Sequence, residues 1–276
     1  MPDVATPDLR DAVHAALDWP VDTVAVAVVA ADGTVLATVG DQDREFRLAS
    51  ITKPLTAYAV LIAVEEGAVE WDQPAGPDGS TVRHLAAHTS GLSFSDGTVQ
   101  AAPGTRRIYS NIGFEVLGDT VAEAAGMPFA EYLRQAVCEP LGMTSTRLEG
   151  SPGAGAVSSA ADLARFVAEL QAPVLTHTLD DATRVAFPGL DGILPGYGRQ
   201  KPNDWGLGFE IRDGKSPHWT GTGSSPRTFG HFGQSGTFLW VDPDAGAACV
   251  VLTDRDFAEW SVQAWPPFTD AVLAAL

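Results

Sequence analysis

The chain has 276 residues, of which 45% are hydrophobic and 19% are charged, and its formal net charge is −18 at pH 7. This length and composition suit a globular protein with a large core and argue against a disordered chain. The acidity disfavours nucleic acid and anionic membrane as partners, because phosphate binding needs clustered lysines and arginines. A solvated surface explains the acidity better than attraction of cationic substrates does.

Residues 1–8 show neither the basic start nor the apolar core of a signal peptide, and no apolar run reaches the roughly 18 residues of a membrane span. The two cysteines, Cys138 and Cys249, lie far apart in the sequence. In a chain without an export signal they are expected to be free, buried thiols. These features together predict a cytoplasmic protein.

Apolar periodicity and turn residues predict the elements of the N-terminal part. Residues 8–17 have helical spacing, and two strands, Val24–Ala30 and Thr34–Val39, are joined by the hairpin signal Asp32-Gly33. The segment from Leu55 to Glu66 is apolar on nearly all sides, which indicates a buried helix that ends near Gly67. The core is expected to pack around this helix.

The middle of the chain predicts helices, and the last quarter predicts strands. The helices are 113–125 with a stop at Gly126, a second around 129–137, and a third that begins at the capping sequence Ser159–Asp162 and runs to Leu170. The strands are Trp205–Ile211, Gly230–Asp242 and Ala247–Asp254. A final helix over 258–276 is expected to be interrupted at Pro266-Pro267.

This order predicts an α+β fold. Two N-terminal and three C-terminal strands would form one antiparallel five-stranded sheet, flanked by the terminal helices. Residues 1–49 and 201–276 would build this sheet region, and residues 50–200 would form an inserted, mainly helical region. The buried helix begins where the two regions meet, which is a usual place for a cleft.

Ser50 and Lys53 are three residues apart and therefore share one face at the start of the buried helix. Burial disfavours the charge of a lysine and lowers its pKa, so that Lys53 could act as the base for a Ser50 nucleophile. A motif this short also occurs by chance, and a capping serine beside a surface lysine is the structural alternative.

Two further segments carry candidate site residues. Tyr109 and Asn111 alternate along an extended loop, so a phenol and an amide would point the same way. Gly233, after His231, would let a strand lie close to a ligand. The backbone N–H of Gln234 could then form an oxyanion hole with that of Ser50. The alternatives are an ordinary loop tyrosine with a turn asparagine, and a bulged strand with a satisfied histidine.

Together, the Ser50–Lys53 motif, Tyr109-Ser110-Asn111 and the segment from His231 to Gly236 resemble the serine β-lactamase and penicillin-binding-protein superfamily. The form is that of class C β-lactamases with related esterases and D-amino-acid peptidases. The resemblance covers most of residues 20–255 and includes the segment His88-Thr89-Ser90-Gly91-Leu92. It implies a β-lactamase/transpeptidase-like fold that needs no metal and no cofactor.

The resemblance also implies roles for the residues that match the family's motifs. Ser50 would be the acylated nucleophile, and Lys53 would be its base or proton relay. Tyr109 would pass a proton to the leaving group and activate water for deacylation. The substrate would be held by four residues: Asn111 on its carbonyl side, His231, Gly233 and Gln234.

The chain departs from the family at one motif. β-Lactamases usually carry Lys-Thr-Gly where this chain has His231-Phe232-Gly233. A histidine with an unperturbed pKa of about 6.5 is mostly neutral at pH 7 and attracts a substrate carboxylate less than lysine does. We therefore expect weaker preference for β-lactams than for esters or small amides.

The sequence thus predicts a serine hydrolase that cleaves a small-molecule ester or amide, as a monomer or weak homo-oligomer. A true β-lactamase or D-Ala carboxypeptidase is the alternative among enzymes, and a catalytically silent ligand-binding or sensor protein is the alternative outside them. Zinc binding by His84 and His88 is disfavoured because a site needs a third ligand. Three tryptophans are expected in the core rather than in a cleft or dimer surface: Trp205, Trp219 and Trp260.

Overall fold

The architecture comes from a computed structural model that describes residues 8–276. The prediction that the first residues carry no signal peptide concerns residues 1–7 and lies outside the described residues. Across residues 8–276, no helix has both the length and the apolar character that crossing a membrane requires.

The strands and helices follow one another along the chain with these bounds. The strands are β1 (Val24–Ala30), β2 (Val35–Val39), β3 (Glu45–Arg47), β4 (Arg147–Leu148), β5 (Ala156–Ser159), β6 (Gly192–Leu194), β7 (Gly198–Gln200), β8 (Glu210–Ile211), β9 (Phe229–Gly233), β10 (Thr237–Asp242) and β11 (Ala247–Thr253). The helices are α1 (Leu9–His14), α2 (Thr52–Glu65), α3 (Val82–Ala86), α4 (Asn111–Ala125), α5 (Phe129–Leu133), α6 (Ala160–Gln171), α7 (Leu179–Ala182) and α8 (Glu259–Ala274).

The central sheet is antiparallel and has six strands in the order β2-β1-β11-β10-β9-β8. The predicted number of five was wrong because the segment 230–242 is two strands. Gly236, with φ +75°, turns the chain back between β9 and β10. The predicted strand Trp205–Ile211 shortens to the two residues of β8. Strands β1 and β11 join the two ends of the chain, with Val24 opposite Thr253.

Alternation along the strands gives the sheet two apolar faces. On β1, Val26 and Val28 point to a cluster that contains Trp265 of α8 and Val13 of α1. The intervening Ala27 points to the other cluster, which contains α2 and α6. The sheet is therefore covered by helices on both faces, with the terminal helices on one of them.

Helix α2 confirms the predicted buried helix, since every residue from Thr52 to Ala63 is buried. A 3₁₀ turn, Ala49–Ile51, precedes it, and Gly67 follows its end with φ +74°. This arrangement places Ser50 on the 3₁₀ turn and Lys53 in the first turn of the α-helix.

Helix α8 differs from its prediction because it runs without a break through Pro266 and Pro267. A proline inside a helix costs about 3 kcal/mol. Trp265 and Phe268, which flank the two prolines, are buried against the sheet. This tertiary packing offsets the loss of the backbone hydrogen bonds that the two prolines cannot form.

The predicted cap of α6 is confirmed, because the Ser159 Oγ accepts from the N–H of Asp162 at 3.2 Å. Helix α4 begins at Asn111, two residues before the predicted start, and is capped by Ser110, whose Oγ accepts from the N–H of Gly113 at 2.9 Å. Cys138 and Cys249 are free and buried. The middle of the chain is not purely helical, because it contributes β4 and β5 to a three-stranded sheet with β3. The division into a sheet region and an inserted region stays a proposal.

Candidate active site

Ser50 and Lys53 face each other at the start of α2. The Lys53 Nζ lies 3.4 Å from the Ser50 Oγ, 2.6 Å from the Asn111 Oδ1 and 2.7 Å from the backbone oxygen of Gly153. The last two atoms can only accept, so they take two N–H groups of the amine. The remaining direction at Nζ points to the serine hydroxyl.

Burial lowers the pKa of Lys53 well below its usual 10.5, and the Glu115 carboxylate only partly opposes this. No carboxylate of the described residues forms an ion pair with Lys53, and the faces of Tyr109 and Phe114 lie 4.5 and 5.5 Å from its Nζ. In the neutral amine, the lone pair would point toward Ser50. The site therefore holds a serine hydroxyl beside an amine of depressed pKa.

Tyr109 and His231 form a second pair, with the Tyr109 hydroxyl 3.3 Å from the His231 Nε2. The His231 Nδ1 lies 2.6 Å from the backbone oxygen of Phe232, which can only accept, so Nδ1 carries the proton. Burial is the main cause that lowers the pKa of His231 to about 3. In the neutral ring Nε2 is then an acceptor, and Tyr109 donates its hydroxyl proton to it.

Burial also raises the pKa of Tyr109, while contact with Ser50 opposes this rise. Tyr109 therefore stays a protonated phenol at neutral pH. Its ring is fixed by aromatic neighbours, with the His88 centroid at 4.5 Å and the Trp205 centroid at 5.7 Å. The hydroxyl is thus held in place between the Ser50 side and His231.

Asn111 lies at the first position of α4 rather than in an extended loop. The residue was predicted to hold the carbonyl side of the substrate. Its Oδ1 is instead bound to the Lys53 Nζ at 2.6 Å. In this structure Asn111 therefore positions the lysine, and a role toward substrate stays a prediction.

Gly233 lets β9 approach the turn that carries Ser50. A Cβ at this position would lie 2.3 Å from the Leu48 backbone oxygen and 2.6 Å from the Thr237 Oγ1. Two hydroxyls fasten the same contact, because the Ser235 Oγ donates to Arg47 O at 2.7 Å and the Thr237 Oγ1 donates to Leu48 O at 3.1 Å. Only glycine fits this approach.

Gln234 lies in the turn after β9 and is anchored on both sides. Its backbone oxygen accepts from the N–H of Phe257 at 2.7 Å, and its side chain donates to Phe257 O at 3.1 Å. Ala49, just before Ser50, has φ +45° in the left-handed region, which costs about 1 kcal/mol or more. The hydrogen bonds from Ser235 and Thr237 to the segment before Ala49 hold this strained turn in place.

These residues surround a cavity of about 320 Å³ that Ser50, Tyr109, His231 and Gln234 line. Phe232, from the His231-Phe232-Gly233 motif, also lines the cavity, and four more lining residues were not predicted as site residues: Phe94, Leu194, Pro195 and Glu210. These four belong to no motif of the sequence, so no local signal distinguished them. Trp205, expected in the core, is buried and still forms part of the cavity wall.

Glu210 is the charged residue among the described residues that line this cavity. It is buried and bonded to the Lys215 Nζ, to the His218 Nε2 at 2.8 Å and to the Trp219 Nε1 at 2.8 Å. Burial acts to raise the pKa of Glu210, but His218 and Lys215 together lower it to about 2. The cavity wall therefore contains an ionised carboxylate whose charge is paired from behind.

Arg107 also escaped the sequence analysis, although it stands two positions before Tyr109. Its buried guanidinium donates to the backbone oxygens of Asn203 at 3.0 Å, Ala186 at 2.8 Å and Phe187 at 3.1 Å, and also to that of Ala87. It thereby ties three segments to the loop that carries Tyr109. A charged residue inside an otherwise buried motif is the signal that could have identified it.

The two histidines considered for zinc have separate environments. The His84 Nδ1 pairs with the Thr81 Oγ1 at 2.8 Å, and the His88 Nδ1 accepts from the N–H of Ser110 at 3.1 Å. Residues 8–276 contain no group of three or more potential ligands arranged around a metal position. His88 instead supports the loop of Tyr109.

Comparison with known proteins adds independent findings. Residues 20–274 match the family described as Beta-lactamase. Esterase EstB of Burkholderia gladioli is 27% identical over 91% of this chain and 90% of its own. The D-alanyl-D-alanine-carboxypeptidase/endopeptidase AmpH of Escherichia coli is 28% identical over 40% of this chain, and the match spans only 38% of AmpH.

Solved structures are similar over nearly the whole chain. The crystal structure of Mb2281c from Mycobacterium bovis, described as a β-lactamase, is 58% identical, with a TM-score of 0.94 over 95% of this chain and 98% of its own. Unliganded simvastatin synthase LovD from Aspergillus terreus is 18% identical, with a TM-score of 0.78 over 96% of this chain and 97% of its own. The second likeness is one of fold alone.

Proposed function

The chain belongs to the β-lactamase family of serine hydrolases, and we propose that it cleaves small esters or amides through an acyl-enzyme on Ser50. The observation that carries this proposal is the buried Lys53 amine, held by two neutral acceptors and directed at the Ser50 Oγ. An amine of depressed pKa beside a hydroxyl is the arrangement that activates a serine.

In the acylation step, the neutral Lys53 amine takes the Ser50 proton while Oγ attacks the substrate carbonyl carbon. The resulting ammonium is stabilised by Asn111 and by the Gly153 oxygen, which already accept from Nζ. Tyr109 gives its proton to the leaving oxygen or nitrogen and recovers one from Lys53. In deacylation, Tyr109 takes a proton from water while it passes its own proton to Lys53, and the water oxygen attacks the acyl carbon. Lys53 then returns the proton to the Ser50 Oγ as the bond to the acyl group breaks and the acid leaves.

The negative charge that develops on the carbonyl oxygen needs fixed donors. We assign this role to the backbone N–H groups of Ser50 and Gln234. The support is the fastening of the β9–β10 turn to the Ser50 turn through Ser235 and Thr237, which fixes the two segments relative to each other.

Esters and small amides are favoured over β-lactams because, among residues 8–276, no free cation lines the cavity to bind a carboxylate next to the reacting bond. His231 is held neutral, and Phe232 replaces a hydroxyl. The Glu210 carboxylate in the wall is paired with Lys215 and offers no attraction to a substrate carboxylate. For the same reason, we favour this activity over the two alternatives within the family, a true β-lactamase and a D-Ala carboxypeptidase.

The test compares hydrolysis of p-nitrophenyl butyrate and of a chromogenic cephalosporin by the wild type and by Ser50→Ala. We expect ester turnover to fall at least a thousandfold in the variant, and the cephalosporin to be the slower substrate in the wild type. Equal ester turnover in both proteins would disprove the assignment of Ser50. Absence of labelling of Ser50 by a fluorophosphonate would indicate a silent binding protein instead.

A further inference from the structure

A second cavity continues from the catalytic one. This groove, of about 720 Å³, shares Phe94, Tyr109 and Pro195 with the wall of the Ser50 cavity. Its far part is lined by Arg106, Ile193 and other residues outside the motifs. Phe94 and Ile193 are 53% and 69% exposed, so the groove presents apolar surface to whatever enters the site.

The groove is cationic in a protein whose formal charge is −18. Three arginines and one aspartate line it: Arg106, Arg107, Arg199 and Asp191. The Arg107 guanidinium donates its hydrogen bonds to backbone oxygens, and Arg199 forms an ion pair with Asp191 at 3.0 Å. The exposed Arg106 forms no hydrogen bond or ion pair with its side chain within residues 8–276.

The two cavities thus differ in the charge that they present to a substrate. The catalytic cavity holds an ionised Glu210 and a neutral His231, whereas the groove holds the unpaired Arg106. A carboxylate on the substrate meets no unpaired cation among the described residues of the first cavity, where Glu210 is paired with Lys215, and is attracted by Arg106 in the groove. A guanidinium matches a carboxylate with two parallel N–H groups, so it favours this anion geometrically as well.

Tyr109 decides which part of the substrate reaches the groove. This step rests on the proposed function, in which the Tyr109 hydroxyl gives its proton to the leaving group. That hydroxyl belongs to the residue that lines both cavities, so a leaving group beside Tyr109 continues into the groove. The acyl part would occupy the remainder of the Ser50 cavity.

We propose that the groove between Phe94, Ile193 and Arg106 is a leaving-group subsite for esters whose alcohol part is apolar and ends in a carboxylate, with Arg106 as the residue that binds this carboxylate. Arg106 determines specificity and takes no part in the bond changes. Hydrolysis releases the hydroxy acid from the groove and leaves the acyl group on Ser50.

The test uses butyrate esters of 4-hydroxyphenyl alkanoic acids with one, two or three methylene groups, each beside the ester of the corresponding carboxamide. Each pair has the same phenol and the same shape and differs in charge. We expect kcat/KM of the wild type to be about fivefold higher for the acid than for the amide at the best chain length. This gain is that of a partly exposed ion pair, and it should fall at 0.5 M NaCl.

In Arg106→Gln the ratio of acid to amide should fall to about one through a higher KM for the acid, with the amide ester unchanged within twofold. Arg106→Lys should keep part of the preference. Arg227→Gln removes the same charge from a surface pair with Asp244 and is expected to leave the ratio unchanged.

The outcomes separate the subsite from the proposed function. Hydrolysis that depends on Ser50 but shows no preference for the acid at any chain length overturns the subsite alone. A preference that survives in Arg106→Gln does the same. Ester hydrolysis that persists in Ser50→Ala, or that is absent in the wild type, overturns the proposed function and the subsite with it.

Discussion

At the scale of single residues, the site works by holding titratable groups in their neutral forms. Lys53 is surrounded by a side-chain amide oxygen, a backbone oxygen and two aromatic faces, and burial therefore depresses its pKa. The same burial keeps His231 neutral, and one tautomer is fixed because the Nδ1–H donates to the Phe232 backbone oxygen. In this structure the Tyr109 hydroxyl therefore donates to the His231 Nε2.

The pH profile of ester hydrolysis follows from these pKa directions. We expect kcat/KM to rise with pH as Lys53 loses its proton, at a pH well below 10.5. No inflection near pH 6.5 should come from His231, whose pKa is about 3. His231→Gln should lower the plateau but keep the shape of the profile between pH 5 and 9. An inflection near pH 6.5 that vanishes in this variant would contradict the neutral assignment.

At the scale of elements, the site depends on the contact between the β9–β10 turn and the 3₁₀ turn before α2. Ala49 has a left-handed conformation there, and Ser235 and Thr237 fix the neighbouring carbonyls. Gly233 makes this contact possible because it has no Cβ. The turn that carries Ser50, the proposed nucleophile, and the strand that carries His231 are therefore aligned by contacts to the backbone. Arg107 similarly fixes the loop of Tyr109.

Gly233→Ala tests this alignment. The added Cβ would overlap the Leu48 oxygen at 2.3 Å, so the two turns must separate. We expect a loss of at least a hundredfold in kcat and a destabilisation of about 1–3 kcal/mol, as for other overpacked sites. Gly214→Ala is the matched control, since nothing lies within 4 Å of its added Cβ. Activity and urea unfolding that match the wild type in Gly233→Ala would show that the contact is unimportant.

At the scale of the whole molecule, the chain has the β-lactamase/transpeptidase-like fold, in which helices cover both faces of the six-stranded sheet. The predicted α+β class and family are confirmed. Burial lowers the pKa of four histidines below 6.5: His84, His88, His218 and His231. Their burial couples global stability to pH.

The unfolded chain binds more protons than the folded chain at low pH, and this difference decides how stability changes with pH. Below pH 6.5 the unfolded chain protonates at His231 while the folded chain stays neutral down to pH 3, so the free energy of unfolding falls as pH falls. Between pH 7 and 5 this one residue should cost about 2 kcal/mol. Urea unfolding should therefore show a smaller acid loss in His231→Gln than in the wild type by that amount. Equal losses in the two proteins would refute the buried, neutral histidine.

The sequence by itself determined the elements and candidate residues whose signals are local. Helix α2 follows from apolar periodicity, the ends of α2 and α4 follow from Gly67 and Gly126, and the Ser50–Lys53 pair follows from helical spacing. These features depend on residues a few positions apart, so they can be deduced without the fold. The motif resemblance then identified the family.

Only the tertiary structure decided which groups meet and what surrounds them. It divided one predicted strand into β9 and β10, carried α8 through Pro266 and Pro267, and bound Asn111 to Lys53. It also placed the unpaired Arg106 in a groove beside the Ser50 cavity. The physical reason is that burial, desolvation and close backbone approach are set by segments far apart in the chain, and these effects outweigh local preferences.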